Sequence, residues 1–211
     1  MTDNWTIVSS LTTGVGTLVL AAATFAAVRS ANRAARVAEE ALSVGLRPLL
    51  VPSRLDDVAQ KVIYGDGKFE RMEGGRGVAD IDGSNVYLGI SVRNAGRGIA
   101  VLHGWRFAAG QQTDQSRPPL ETFRPHARDI FIAPNDVGFW QAAFRDPADP
   151  QYDEAIAAVR RSEPLTVDML YGDHEGGQRA ISRFMLRRHS ADSPWFGSVV
   201  RHWNVDRPDP R

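Results

Sequence analysis

Cysteine is absent from this 211-residue chain, which excludes disulfides, thiolate metal sites and a cysteine nucleophile. Net charge is absent too. Its 25 basic and 25 acidic side chains cancel, removing the long-range field that draws a protein to nucleic acid, so nucleic acid is not an expected partner. The usual catalytic signatures are missing: there is no G-x-S-x-G elbow, no P-loop and no H-E-x-x-H. None of the five histidines (103, 126, 174, 189 and 202) stands three or four residues from another, so no local metal site is indicated. No catalytic, cofactor or metal residue is assigned on these grounds, and the chain is not expected to be an enzyme. A last absence is local. No ionisable side chain occurs from Asn4 to Val28.

That uncharged stretch spans about 37 Å as a helix, against a hydrocarbon core of about 30 Å. Trp5 stands at one end, where an amphipathic indole suits the headgroup region. No basic segment precedes it as a cleaved signal would require, so a retained transmembrane helix is expected over residues 1–28. Arg29, Arg33 and Arg36 follow at once, while the N-terminal flank carries no Lys or Arg. Positive flanks stay cytoplasmic, so the N-terminus is expected outside the plasma membrane and the remainder inside. These three arginines form a candidate membrane-proximal basic face, suited to anionic headgroups or simply to solvent. Helix-forming residues continue to about Leu46, giving a juxtamembrane helix over 29–46 that ends at Gly45 and Pro48. Small residues run along one side through Ser10, Gly14, Thr17, Ala21, Thr24, Val28, Ala31, Ala35, Ala38, Leu42 and Gly45. Such a seam serves a weak parallel homodimer, packs on the chain's own domain, or follows from alanine content alone.

From Arg47 the period becomes alternating. Val86–Arg93 is the clearest strand, and Asn94-Ala-Gly96-Arg-Gly98 turns the chain into Ile99–Phe107. Further strands are expected at Leu49–Pro52, Lys61–Tyr64, Lys68–Met72, Asp129–Ala133, Val137–Phe144, Leu165–Tyr171 and Ala180–Leu186, separated by glycine turns. The fold class is therefore mainly β, an antiparallel immunoglobulin-like β-sandwich over residues 47–190. One inserted helix starts near Asp149 and Pro150, buries Tyr152, Ala155, Ile156 and Val159, and ends before Pro164. Over 191–211 a short amphipathic helix opening at Ser193 and Pro194 is expected, followed by a loose tail. Its aromatic face of Trp195, Phe196 and Trp203 either closes the core or forms a candidate interaction surface for a partner or the bilayer.

Three motifs carry chemistry in principle. Asp80-x-Asp82-Gly83-x-Asn85 resembles half a calcium loop but lacks the closing glutamate, and an Asp-Gly hairpin explains it more simply. Gly74-Gly75-Arg76-Gly77 lacks a strand-to-helix context for phosphate and reads as a turn. Asp173-His174-Glu175 joins an imidazole to two carboxylates, the basis of the alternative reading, a membrane-attached hydrolase or metal-dependent enzyme. The following Gly176-Gly177 favours a hairpin tip instead. His103, on the apolar side of its strand, is expected to be a satisfied core histidine.

The Trp5-Thr-Ile-Val-Ser-Ser start, Arg29-Ser-Ala-Asn-Arg-Ala-Ala-Arg, Leu46-Arg-Pro-Leu-Leu-Val-Pro-Ser, Val92-Arg-Asn-Ala-Gly-Arg-Gly-Ile-Ala and Tyr171-Gly-Asp together resemble a group of uncharacterised actinobacterial single-pass membrane proteins. The resemblance implies an N-terminal transmembrane helix with a C-terminal sandwich-like domain, and neither an activity nor catalytic residues. The function expected from the sequence is a membrane-anchored binding or scaffold module that presents its β domain to a protein partner.

Overall fold

A computed structural model describes residues 3–190 and 192–209, with the side chains of residues 3–15, 40, 43 and 44 outside the described set. The chain divides into two units, residues 1–45 and 46–211. The first is one helix, α1 (Asp3–Gly45), in which alanine is the commonest residue and no proline intervenes. Every side chain from Gly16 to Glu39 is exposed, including Leu18 at 72% and Phe25 at 68%. Trp5 and the seam positions Ser10 and Gly14 lie outside the described side chains. Among the described residues no helix is long and apolar enough to cross a membrane.

The second unit is mainly β. Its strands are β1 (Leu50–Pro52), β2 (Gln60–Ile63), β3 (Phe69–Met72), β4 (Arg76–Asp82), β5 (Asn85–Asn94), β6 (Ala100–Ala109), β7 (Arg124–Ile132) and β8 (Val137–Phe144). Helix α2 (Tyr152–Arg160) then leads to β9 (Leu165–Gly172), β10 (Ala180–Arg187) and β11 (Trp195–Asn204). Nine strands form one antiparallel sheet in the order β1-β5-β4-β11-β10-β9-β6-β7, with β8 on the other side of β5, and β2 pairs with β3 alone. The halves β1-β4-β5-β8 and β6-β7-β9-β10-β11 join through only two residue pairs, Trp195↔Gly77 and Phe196↔Arg76. The sheet curls, so that Trp105 of β6 meets Trp140 and Phe144 of β8 edge to face, with centroids 5.6 Å apart in each pair.

Helix α2 packs on β4 and β6, which three strands separate in the ladder, and so it lies across the inside of the curl. Its Tyr152, Ala155, Ala158 and Val159 join the main core with Val86, Leu88, Ile90, Phe107 and Val167. The β2–β3 hairpin covers the other face of β5 and forms a small second core of Val62, Tyr64, Met72 and Tyr87. Strand β5 is consequently buried on both faces, with Val86, Leu88, Ile90 and Val92 in the main core and Tyr87 in the second.

Two buried polar groups fix the layout. Asn94 is fully buried and uses its whole side chain: Oδ1 accepts from the backbone N–H groups of Leu49 and Gly96, and Nδ2 donates to the carbonyls of Gly98 and Ile132. It thereby ties the start of β1, the β5–β6 turn and the end of β7 together. Gly96 and Gly98 have no room for a Cβ, because the Arg47 and Leu46 carbonyls press against them, which holds the segment after α1 on the body. Asp168 on β9 takes a bidentate pair from Arg183 on β10 (2.7 and 3.0 Å) and a third bond from Arg106 on β6 (3.2 Å). Arg183 and Asp168 are almost wholly buried, and the charges are matched.

Four expectations are corrected. The segment at 195–204 is a strand, not an amphipathic helix, because Gly197, two valines and three aromatics are poor helix formers and the strand supplies the link between the two halves. The tail is not loose as far as residue 209: Arg179 pairs with Asp206 at 2.7 Å, and Asp209 accepts from the Asn204 N–H at 2.6 Å. The glycine run at 74–77 is only half a turn. Gly75 turns with φ 65°, but Arg76 and Gly77 begin β4, where Leu186 occupies the space a side chain at Gly77 would need. His103 is exposed rather than in the core, because a register shift between Leu102 and Gly104 rotates it out of the ladder.

Candidate functional site

Two strands with a single ladder partner, β7 on β6 and β8 on β5, follow each other in sequence yet belong to different halves of the sheet. The turn at Ala133–Asp136, with Asn135 in the left-handed region at φ 61°, sends the chain from one end of the curled sheet to the other. Near that turn the strands close, and a Cβ at Gly138 would meet Ile132 at 2.8 Å. Farther along they part around a cleft of about 380 Å³. Its wall includes Trp105, His126, Arg128, Ile130, Gln141 and Ala142, and the Ile63–Gly65 turn of the small hairpin forms one lip. That volume falls at the small end of ligand pockets.

The local sequence explains the opening. Pro125 pairs with Gly104 and Ile130 with Leu102, which leaves His126–Asp129 opposite His103 alone. Four residues therefore bulge off the ladder where β7 would otherwise present a flat edge, and the proline, the bulge, Arg128 and Asp129 all discourage a further strand. Arg124 spans the gap at one end. It pairs with Asp149 and lies 5.4 Å from the Trp105 ring and 5.3 Å from that of Phe144. Asp149 also accepts from the Gln151 N–H, holding the turn that enters α2, and the Arg124 hydrogen bond keeps its carboxyl below the usual carboxylate range.

Both charged residues of the wall, Arg128 and Arg145, are cationic, and no acidic residue lines it. Arg145 is neutralised by Asp66 at 2.8 Å; hydrogen bonds from Arg145 and Tyr87 hold the Asp66 carboxyl well below the carboxylate range. Arg128 donates to the Ile63 carbonyl at 3.3 Å and lies 5.9 Å from the Phe139 ring, without an ion pair among the described residues. In the same wall His126 Nε2 and Gln141 Oε1 are shut off from solvent and lack a hydrogen-bond partner among the described residues. Burial first, and the nearby His103 second, push the His126 imidazole down to about 4, so it is neutral near pH 7. Unpaired buried polar atoms each cost about 1–3 kcal/mol, so two in one wall mark a place where a polar partner is wanting. Chemically the cleft offers an apolar floor, one unpaired cation and two neutral hydrogen-bonding groups. It holds no nucleophile–base pair.

The residues singled out from sequence fall elsewhere. Arg29 and Arg33 share one side of α1 with Arg36, Phe25, Val28 and Asn32, and all are exposed. Trp195, Phe196 and Trp203 do not form one surface. Trp195 is in the core, Phe196 is 38% exposed under Arg76, and Trp203 is buried beneath Arg183 with its Nε1 donating to the Gln115 carbonyl. The alternation of a strand, changed once by the bulge between Arg183 and Phe184, separates them. Asp173-His174-Glu175 is a hairpin tip: Asp173 is buried and accepts from the Gly177 N–H at 2.8 Å, while His174 and Glu175 are exposed. Among the described residues no three His, Asp or Glu groups stand close enough to hold a metal ion. Asp80 and Asp82 lie on β4 just before the hairpin turn at Gly83 (φ 60°) and pair with Lys68 of the β2–β3 hairpin at 2.6 and 3.3 Å.

The cleft residues were missed by sequence reasoning. The alternation Arg124-Pro-His126-Ala-Arg128 was the available signal, since polar groups at every second position suit a strand edge, but nothing local tells that β8 faces it. No protein-family model, curated protein or solved structure matches the chain.

Proposed function

We propose that this protein is a non-enzymatic binding module, anchored by α1 at the inner face of the plasma membrane, that uses the β7–β8 cleft as its recognition site. The observation that supports the reading is the run of exposed apolar side chains on α1, beside a second unit that has a core of its own. From Leu18 to Val28 the exposed residues are almost all Leu, Val, Ala and Phe, a surface that water does not favour. The uncharged run that begins at Asn4 extends this surface in sequence toward the N-terminus. Arg29, Arg33 and Arg36 then stand at the cytoplasmic headgroups, with the N-terminus outside. The two half-sheets meeting through Trp105, Trp140 and Phe144 support a sandwich-like, immunoglobulin-like body, and the resemblance to single-pass membrane proteins points the same way. Two copies concentrated in one membrane would associate weakly and in parallel along the small-residue side of α1.

The reading is tested on the full chain with reporters at its C-terminus. Membranes washed with alkaline carbonate should retain the chain, a fused fluorescent protein should be bright and a fused alkaline phosphatase inactive. Release by carbonate would remove the anchor; an active phosphatase would place the body outside.

A further inference from the structure

We infer that the β7–β8 cleft binds a small carboxylic acid, with its apolar body on Trp105, Ile130 and Ala142 and its carboxylate against Arg128. The ligand class rests on the proposed reading of the protein as a binding module and names what that module recognises.

Size comes first. A cleft of about 380 Å³ admits a small molecule or a short chain end and excludes a folded partner. Strand addition at the β7 edge is disfavoured because Pro125 and the four-residue bulge at His126–Asp129 spoil it. Charge comes second. With Arg145 paired to Asp66, the only uncompensated charge in the wall is the Arg128 guanidinium, so an anion is favoured over a neutral or cationic ligand. The fork of a guanidinium matches a planar carboxylate, and one arginine with an apolar floor suits a singly charged acid better than a phosphate, which asks for more donors. Trp105, Ile130 and Ala142 supply that floor. His126 Nε2 and Gln141 Oε1 supply the third requirement. Both are neutral polar atoms of residues in the wall, shielded from solvent and without a partner among the described residues, and each can take a hydroxyl or amide of the ligand.

The test uses the full chain in lipid nanodiscs, read by the Ile130 methyl and Trp105 indole N–H resonances. Hexanoate is the probe, with 1-hexanol and inorganic phosphate as comparisons. Saturable shifts with hexanoate are expected, and both comparisons should bind at least about tenfold more weakly, the loss of one charged hydrogen bond or of the apolar contact. Arg128→Gln should weaken hexanoate by about tenfold or more and leave the melting temperature unchanged, because Arg128 is exposed and makes one backbone bond. Absence of any shift with hexanoate, equal affinity of the wild type and Arg128→Gln, or hexanol or phosphate binding as tightly as hexanoate would each overturn the assignment. A chain that resists carbonate washing but ignores hexanoate loses the ligand and keeps the anchor. One that binds hexanoate but washes off loses the anchor alone.

Discussion

The chain contains two helices rich in alanine, and they meet opposite fates. In α2, Ala155 and Ala158 are fully buried among strands of both half-sheets, and Glu154 accepts the Ala109 N–H at 3.0 Å. In α1, every described alanine is exposed, with Val19, Leu20 and Phe25 beside them. Propensity makes both helical; α2 in addition packs an apolar face into the core of its own unit. A helix of a folded domain shows a stripe opposite a polar side, as Tyr152, Ala155 and Val159 do against Asp153, Glu154 and Arg160. Over Leu18–Val28 there is no such division. The difference lies in the pattern of the apolar residues: α2 carries them on one side, packed within the curl of the sheet, and α1 carries them all round, exposed from Leu18 to Val28.

The largest effect that sharpens this contrast comes from placing one carboxylate in each helix. Ala155→Asp would bury an unpaired charge at a position with no exposure, and the body should no longer fold at 37 °C, at a cost of several kcal/mol. Phe25→Asp in α1 should leave the melting of the body unchanged and reduce retention in carbonate-washed membranes. Melting is followed by tryptophan fluorescence, since four of the five tryptophans lie in the body. Equal loss of body stability in both variants would show that α1 is part of the same packed unit, and the contrast would fail.

What the sequence made legible follows the same division. The two helices and nine of the strands were readable, because periodicity and turn residues are local signals. Strands β4 and β11 were not. Each begins beside a Gly or Ser-Pro element; each pairs with its neighbour in sequence, β4 with β5 and β11 with β10, and their starts also pair with each other across the chain, Trp195 with Gly77 and Phe196 with Arg76. The cleft was illegible for a related reason. It exists because the sheet closes on itself, so Trp105, His126 and Gln141 become neighbours through curvature that no window of sequence contains. His103 was misplaced by a bulge, one extra residue that reverses inside and outside.

Within the body the next effect concerns the buried charges of β9 and β10. Asp168→Asn removes the partner of Arg183 and leaves a guanidinium uncompensated beneath the sheet surface, which costs about 3–5 kcal/mol. Chemical denaturation should show a lower midpoint with an unchanged slope. The double variant Asp168→Leu with Arg183→Met should recover part of the loss, since replacing both charges removes the stranded one, although Arg183 Nη1 also donates to the Asp114 carbonyl at 2.9 Å and that bond would be lost. A double variant as unstable as the single one would mean that the pair contributes net stability rather than mere consistency. The predicted response is confined to the body, and retention of α1 in membranes should not change.

The smallest effect is a dependence on pH that belongs to the cleft. In the unfolded chain the His126 imidazole takes up a proton as pH falls through its ordinary value of 6.5, whereas in the folded chain burial, aided by His103, delays protonation to about pH 4. Between those values the unfolded state binds more protons, so the stability of the body falls as pH drops from about 6.5 toward 4 and levels off below. His103, pushed down by burial and by Arg179, acts in the same direction. The effect is reduced by solvent screening, because His103 is exposed and His126 is only partly buried. Thermal melts of the full chain at pH 7.5, 6.0 and 4.5 should show the decline, and His126→Gln should flatten much of it. A slope that survives this substitution would assign the pH dependence to His103 or to the carboxylates paired with arginine. His126 would then be a solvated edge residue, and the cleft would lose its neutral polar wall while keeping Arg128.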